Sequence, residues 1–182
     1  MEFLIEVVSM LFRIVGALAI IGGSIGLGMY YSAKESFRAK ELTEFKKALL
    51  ILSSEIEYMR SPLTIACTNI AKRTAANISY LFTEFSESLA SNEGETAYQL
   101  WVSAIDSIKE KSFLTPEDWD VVESFGKTLG YLDMNMQINA INYAVNYIDN
   151  KTSELQLQSS KNKRMYRSLG VIGGMLVTVV LW

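Results

Sequence analysis

The chain of 182 residues contains no histidine. That removes His-dependent triads, His-ligated zinc, imidazole general bases and imidazole pH switches together. One cysteine, Cys67, leaves no internal disulfide and no Cys-rich zinc or iron–sulfur site. It is read as a small buried apolar residue, since no histidine exists to activate it. Two prolines favour long uninterrupted helices. A net charge of −3 argues against nucleic-acid binding, which needs a basic face.

The residues that are present are unevenly placed. Residues 14–33 and 168–182 carry no charged side chain. Every Lys and Arg except Arg13, and every acid except Glu2 and Glu6, lies between them. Apart from Gly94, Gly126 and Gly130, every glycine falls in one of the two stretches. Ile14 to Ala33 as a helix would be about 30 Å long, the thickness of a hydrocarbon core. Gly22 with Gly26, and Gly170 with Gly174, give small-xxx-small faces suited to close helix contact in lipid. Tyr30 and Tyr31 stand where interfacial aromatics belong. A cleaved signal peptide is the weaker reading of 14–33, because Glu2 and Glu6 replace a basic start and no small-residue cleavage site comes after. The second stretch is short, so a buried core helix or re-entrant piece is its alternative. Extended back to Met165 it reaches roughly 27 Å, with Arg167 snorkelling to the head groups.

Lys34, Arg38 and Lys40 come just after the first stretch, and Lys161, Lys163, Arg164 and Arg167 precede the second. Basic flanks mark the cytoplasmic side. The expected organisation is therefore a leader over 1–13, a transmembrane helix over 14–33, a cytoplasmic domain over 34–167, and a second transmembrane helix over 168–182. Both termini would lie across the membrane.

The middle region reads as six helices. Phe37 to Met59 sets Leu42, Phe45, Leu49, Leu52, Ile56 and Met59 on one stripe. Ser61-Pro62 suggests a serine cap and first-turn proline for a second helix carrying Leu63, Ala66, Cys67 and Ile70. A third has Ile78, Leu81, Phe82, Phe85 and Leu89. After the turn signal Ser91-Asn92-Glu93-Gly94, a fourth has Ala97, Leu100, Trp101, Ala104, Ile105 and Ile108. Thr115-Pro116-Glu117-Asp118 opens a fifth, burying Trp119, Val122, Phe125 and Leu129, with Gly130 as its stop. The last keeps a seven-residue repeat through Met134, Ile138, Ile141, Val145, Ile148, Thr152 and Leu155. The fold class is all-α, a six-helix antiparallel bundle flanked by membrane helices, with the first and last helices paired.

Catalytic patterns are not found. Gly126-Lys127-Thr128 approaches a phosphate loop, but the earlier glycine is Val121 and the segment lies in a helical pattern. Gly126 is read instead as a close-packing residue. The carboxylate pairs Glu55/Glu57, Glu84/Glu87 and Asp118/Asp120 are read as helix-surface and capping residues. Trp101, Trp119, Phe82 and Phe85 are read as core. The sequence thus predicts no enzyme, no cofactor and no metal, and a helical domain whose task is to bind other proteins. Asn77-Ile78-Ser79 and Asn150-Lys151-Thr152 match a glycosylation pattern that a cytoplasmic domain would not use.

Three ordered motifs then carry a resemblance: Glu55-Ile56-x-Tyr58-x-x-x-Pro62-Leu63; Phe125-Gly126-x-x-Leu129-Gly130-x-x-Asp133 with Gln137; and Lys163-x-x-x-Arg167-Ser168-Leu169-Gly170 before an apolar tail. In order, length and terminal segments the chain resembles the stage III sporulation protein AB family of endospore-forming bacteria, from Met10 onward. Two features depart from the pattern. The leader before Met10 is longer, and Lys161-Asn162-Lys163-Arg164 is a basic approach where a more acidic helix is expected. The resemblance implies a cytoplasmic bundle similar to the GspF-type platform domain of type II secretion. It implies a place in the SpoIIIA–SpoIIQ complex, in the mother-cell membrane around the forespore. The implied partners are a SpoIIIAA-type ATPase, other SpoIIIA membrane proteins and the lipid bilayer. Whether the glycine faces meet within one molecule or between copies stays open, so a homo-oligomer is a further candidate. The alternative is a membrane-anchored adaptor of another secretion, pilus or competence system.

Overall fold

The structure, a computed structural model, describes residues 2–91, 94–129 and 133–181. Side-chain surroundings are described for 33–91, 94–129 and 133–158, together with Val15, Gly16, Gly22, Gly23, Gly26 and Tyr30. Asn92, Glu93 and Gly130 lie outside the described residues, and with the first two goes part of the expected turn; the fifth helix ends at Gly126, short of its expected stop at Gly130. Among the described residues the chain is all helical, with six α-helices and one π-helical turn. They are α1 (Glu2–Ser54), the π turn (Glu55–Met59), α2 (Leu63–Arg73), α3 (Ala76–Ser91), α4 (Ala97–Lys109), α5 (Pro116–Gly126) and α6 (Met134–Leu181).

The chain divides into two compact units, Met1–Glu35 with Gln156–Trp182, and Ser36–Leu155. In the first, residues 2–35 and 156–181 are helical, as parts of α1 and α6. Gly22 and Gly26 are exposed, with open space where a Cβ would stand. Among the described residues no helix is long and apolar enough to cross a membrane. Most side chains of 14–33 and all those of 168–182, including Gly170 and Gly174, lie outside that description.

The second unit has one core. Leu42, Phe45, Ala48, Leu49 and Leu52 of α1 bury against Ala66, Cys67 and Ile70 of α2, Leu81, Phe82 and Phe85 of α3, Trp101 of α4, Phe125 of α5, and Ile141, Ile148 and Leu155 of α6. Short connections explain how consecutive helices meet: only Thr74 and Ala75 separate α2 from α3. At the centre, Trp101 takes Phe82, Phe85 and Phe125 edge-on, with centroids 5.5, 5.0 and 5.9 Å away. Its indole N–H donates to the carbonyl of Val122 at 3.0 Å. Gly126 is buried against the same indole; a Cβ there would meet Trp101 Cδ1 at 2.0 Å. The position is close-packed, as its place in a helical pattern suggests.

Local caps agree with the chemistry of the sequence at some ends and differ at others. Thr96 and Gln99 form a reciprocal capping box at the start of α4. Thr115 caps α5 with Pro116 at its first position. For α2 the cap is Pro62, whose carbonyl accepts from the Ala66 N–H at 3.0 Å; Ser61 is not the cap. Its hydroxyl serves Glu55 instead, at 2.7 Å. The stripe read through Met59 also ends early. The helix widens into the π turn at Glu55, which changes the angular phase of the residues beyond it. Met59 consequently points outward, 67% exposed.

Candidate interaction site

The π turn forms the corner between α1 and α2. Arg60 closes it in the left-handed region, at φ 50°. That reverses the chain without a glycine. Glu55 fastens the corner from inside. Its carboxylate is buried and accepts from the Ser61 hydroxyl at 2.7 Å and from the Asn69 amide at 3.0 Å. The two acids of this motif therefore part company: Glu55 is an internal acceptor, not a helix-surface residue, while Glu57 is exposed. Buried acids need full hydrogen-bond satisfaction, and among the described residues neutral donors supply it here.

Beside this corner lies an open groove of about 600 Å³, whose walls include Lys46, Lys47, Leu50, Met59, Asn69 and Arg73. Leu50 and Met59 are exposed apolar side chains, and Tyr58 next to them is 79% exposed. Lys46 is tied to Asp149 of α6 at 2.5 Å, and Lys47 lies 3.7 Å from Glu44. The groove thus combines exposed apolar side chains with three cationic ones, two of them paired with acids. Such a surface suits a protein segment better than a small reactive substrate. Among the described residues no group of three or more His, Cys, Asp or Glu is placed to hold a metal ion.

A second cluster joins α1, α5 and α6. Asp118 is completely buried and receives five donors. Arg38 reaches it through Nε at 2.7 Å and Nη2 at 2.9 Å. The Thr115 N–H and hydroxyl each donate at 2.9 Å, and the Tyr147 hydroxyl donates at 3.0 Å. Burial pushes the carboxyl pKa upward, but the bonds from Arg38 and Thr115 outweigh it and hold it below the ordinary range. The Asp118 hydrogen bond raises Arg38 further. Burial, then the neighbouring carboxylate, raises the Tyr147 phenol. A carboxylate held ionised and an arginine held charged do not exchange protons near neutral pH, so this cluster is a tie between helices.

The sequence pattern predicts Asp118 as a surface or capping residue. The capping role stands, but Asp118 is a core residue as well. Arg38, read as a membrane-flanking charge, has its guanidinium committed to that carboxylate. Lys34 and Lys40 are exposed. Lys161, Lys163, Arg164 and Arg167 have side chains outside the described residues. Cys67 is buried among apolar neighbours, and burial pushes its thiol up to about 12. Among the motif residues, Glu55, Tyr58 and Pro62 gather at the corner, while Phe125 and Gly126 belong to the core around Trp101. Asp133 is exposed just before α6, where its side chain accepts from the Asn135 N–H at 2.8 Å.

The sequence does hold a signal for one missed pair. Glu41 and Glu55 lie in phase with Phe45, Ala48 and Leu52, at steps of four and three. An acid on an apolar stripe marks a buried, satisfied carboxylate. Glu41 accepts from the Ser112 hydroxyl at 2.8 Å, the Phe113 N–H at 2.7 Å and the Asn77 amide. No pattern in the sequence announces Ser61, Asn69 or Tyr147 as partners.

The family model for stage III sporulation protein AB matches residues 13–182. The chain belongs to this family. The stage III sporulation protein AB of Bacillus subtilis (strain 168) is 27% identical over 169 residues, covering 93% of this chain and 98% of that protein. A solved structure of a stage III sporulation protein AB, also 27% identical, superposes with a TM-score of 0.63 over 68% of this chain and 97% of its own. The three motifs read from the sequence lie within the part of the chain that matches the stage III sporulation protein AB family.

Proposed function

We propose that the chain is a non-enzymatic membrane platform of the SpoIIIA apparatus, coupling a cytoplasmic SpoIIIAA-type ATPase to membrane partners during endospore formation. The observation that carries this reading is family membership over residues 13–182. It favours sporulation over a pilus or competence system. Residues 14–33 and 168–182 span the mother-cell membrane around the forespore in this reading, with the helical domain in the cytoplasm. The charge-free stretches and their basic flanks support that placement. The domain plays the part of a GspF-type bundle. The groove at the α1–α2 corner is the surface offered to the ATPase, on the strength of its exposed Leu50 and Met59 and its cationic lining.

The test is co-purification of the full chain from detergent extracts with the cognate ATPase, alongside spore counts from a deletion strain. The expected result is ATP-independent capture, weakened by Met59→Glu, and a sporulation defect. Capture unaffected by Met59→Glu moves the contact to another face. Normal spore numbers from the deletion strain overturn the platform reading.

A further inference from the structure

Phe37 and Phe113 stack face to face, with centroids 4.9 Å apart and planes 21° from parallel. Both stay wet: Phe37 is 47% exposed and Phe113 37%. Lys40 places its ammonium 5.6 Å from the Phe37 ring. Lys109, the last residue of α4, and Lys111, in the α4–α5 connection two residues before Phe113, are exposed, with Glu110 as the one acid between them. An exposed aromatic pair bordered by three lysines is an uncommon thing to leave in water.

The pair is held in place. Glu41 lies one turn after Phe37 on α1. Its buried carboxylate takes the Phe113 N–H at 2.7 Å and the Ser112 hydroxyl at 2.8 Å. Asn77 bridges the same carboxylate to the carbonyl of Lys111, the latter at 3.2 Å. The loop therefore cannot swing away to bury Phe113 elsewhere. The chain also limits where the pair can be. Phe37 stands four residues after Ala33, where the charge-free stretch ends. Four residues reach at most about 14 Å. If that stretch crosses the bilayer, Phe37 cannot lie far from the head-group layer, and Phe113 is stacked on it.

We propose that the α4–α5 loop, with the end of α4 and the adjoining stretch of α1, is a third membrane contact of this protein, presenting Phe37 and Phe113 to the interface and Lys40, Lys109 and Lys111 to anionic lipid head groups. Aromatic and lysine side chains are the residue types that suit this layer, the ring at the acyl boundary and the cation among phosphates. The contact gives the bundle a further point of purchase on the bilayer, whose loop part is far from either membrane segment in sequence. The inference rests on the reading that 14–33 crosses the membrane.

The test uses the full chain in lipid nanodiscs containing phosphatidylglycerol, in a Cys67→Ala background. An environment-sensitive fluorophore is placed in turn at Phe113→Cys, at Ala90→Cys near the far end of α3, and at Ile20→Cys. Spin-labelled lipid of shallow depth is expected to quench position 113 and leave position 90 bright; deep spin label is expected to quench position 20. Replacing phosphatidylglycerol with phosphatidylcholine, or reversing charge in Lys109→Glu with Lys111→Glu, is expected to reduce quenching at 113. Quenching at 20 without quenching at 113 overturns the loop contact and leaves the spanning helix standing. No quenching at either position overturns both. Quenching at 113 that ignores lipid charge and both reversals overturns the assignment to anionic head groups.

Discussion

Arg38 and Asp118, eighty positions apart, meet through two hydrogen bonds on opposite oxygens of one carboxylate. The pair locks the first helix of the bundle to the start of α5, and Tyr147 on the same carboxylate adds α6. Three elements share one buried charge. Removing either partner strands the other in a low-dielectric site, whereas removing both leaves only polar neighbours to satisfy.

Arg38→Met and Asp118→Asn should therefore each lower stability by about 3 kcal/mol, and the double variant should lose much less than the sum. Urea unfolding of the detergent-solubilised chain measures this. Additive losses would mean that the ion pair is not the coupling. The sign with pH comes from the lowered Asp118 pKa. Its contribution is complete above the unfolded carboxylate value near pH 4, and is lost as pH falls through the lower native value. Asp118→Asn should accordingly flatten the acid limb of the stability curve.

Gly126→Ala pushes a methyl group into the Trp101 indole, at 2.0 Å from Cδ1 if nothing moves. The indole is fixed by three aromatic neighbours and by its bond to Val122, so it has little room to yield. The expected cost is about 1–3 kcal/mol, with a shifted tryptophan emission. Helix propensity alone predicts a gain of up to about 1 kcal/mol for the same substitution, so a stabilised variant would refute the packing argument.

Tyr58 is largely exposed. Tyr58→Ala and Arg73→Glu should each change the unfolding free energy by under about 0.5 kcal/mol. If the groove is the partner surface, the same variants should reduce ATPase capture and spore yield. Full capture by both, with folding intact, would remove the groove from consideration.

Cys67 should resist alkylation at pH 8 in the folded chain, because its thiol is pushed up to about 12 and buried in α2. Maleimide should label it only once urea opens the bundle, so labelling tracks global unfolding. Rapid reaction in native buffer would show that α2 opens by itself.

Much of the bundle is legible in the residues. Trp101, Phe82, Phe85, Trp119 and Cys67 repeat at helical spacing and are core. Thr115 with Pro116 opens α5 because a side-chain acceptor and a fixed φ are local needs. The Met59 end of the first stripe is not legible. The π turn that displaces it depends on Glu55 reaching Ser61 and Asn69, partners beyond a corner that has to fold back first. Asp118 shows the same limit. Its capping of α5 is local, but its complete burial depends on Arg38 and Tyr147 arriving from elsewhere.

Periodicity, caps and the segregation of charge act over a few residues. Six helices, their apolar faces and two charge-free ends can therefore be read from the order of residues alone. Packing decided which donors each buried acid meets, which aromatic pair stayed in water, and which motif residues gathered at one corner. Those outcomes depend on desolvation and on donors many residues distant, and only the assembled bundle brings the two together.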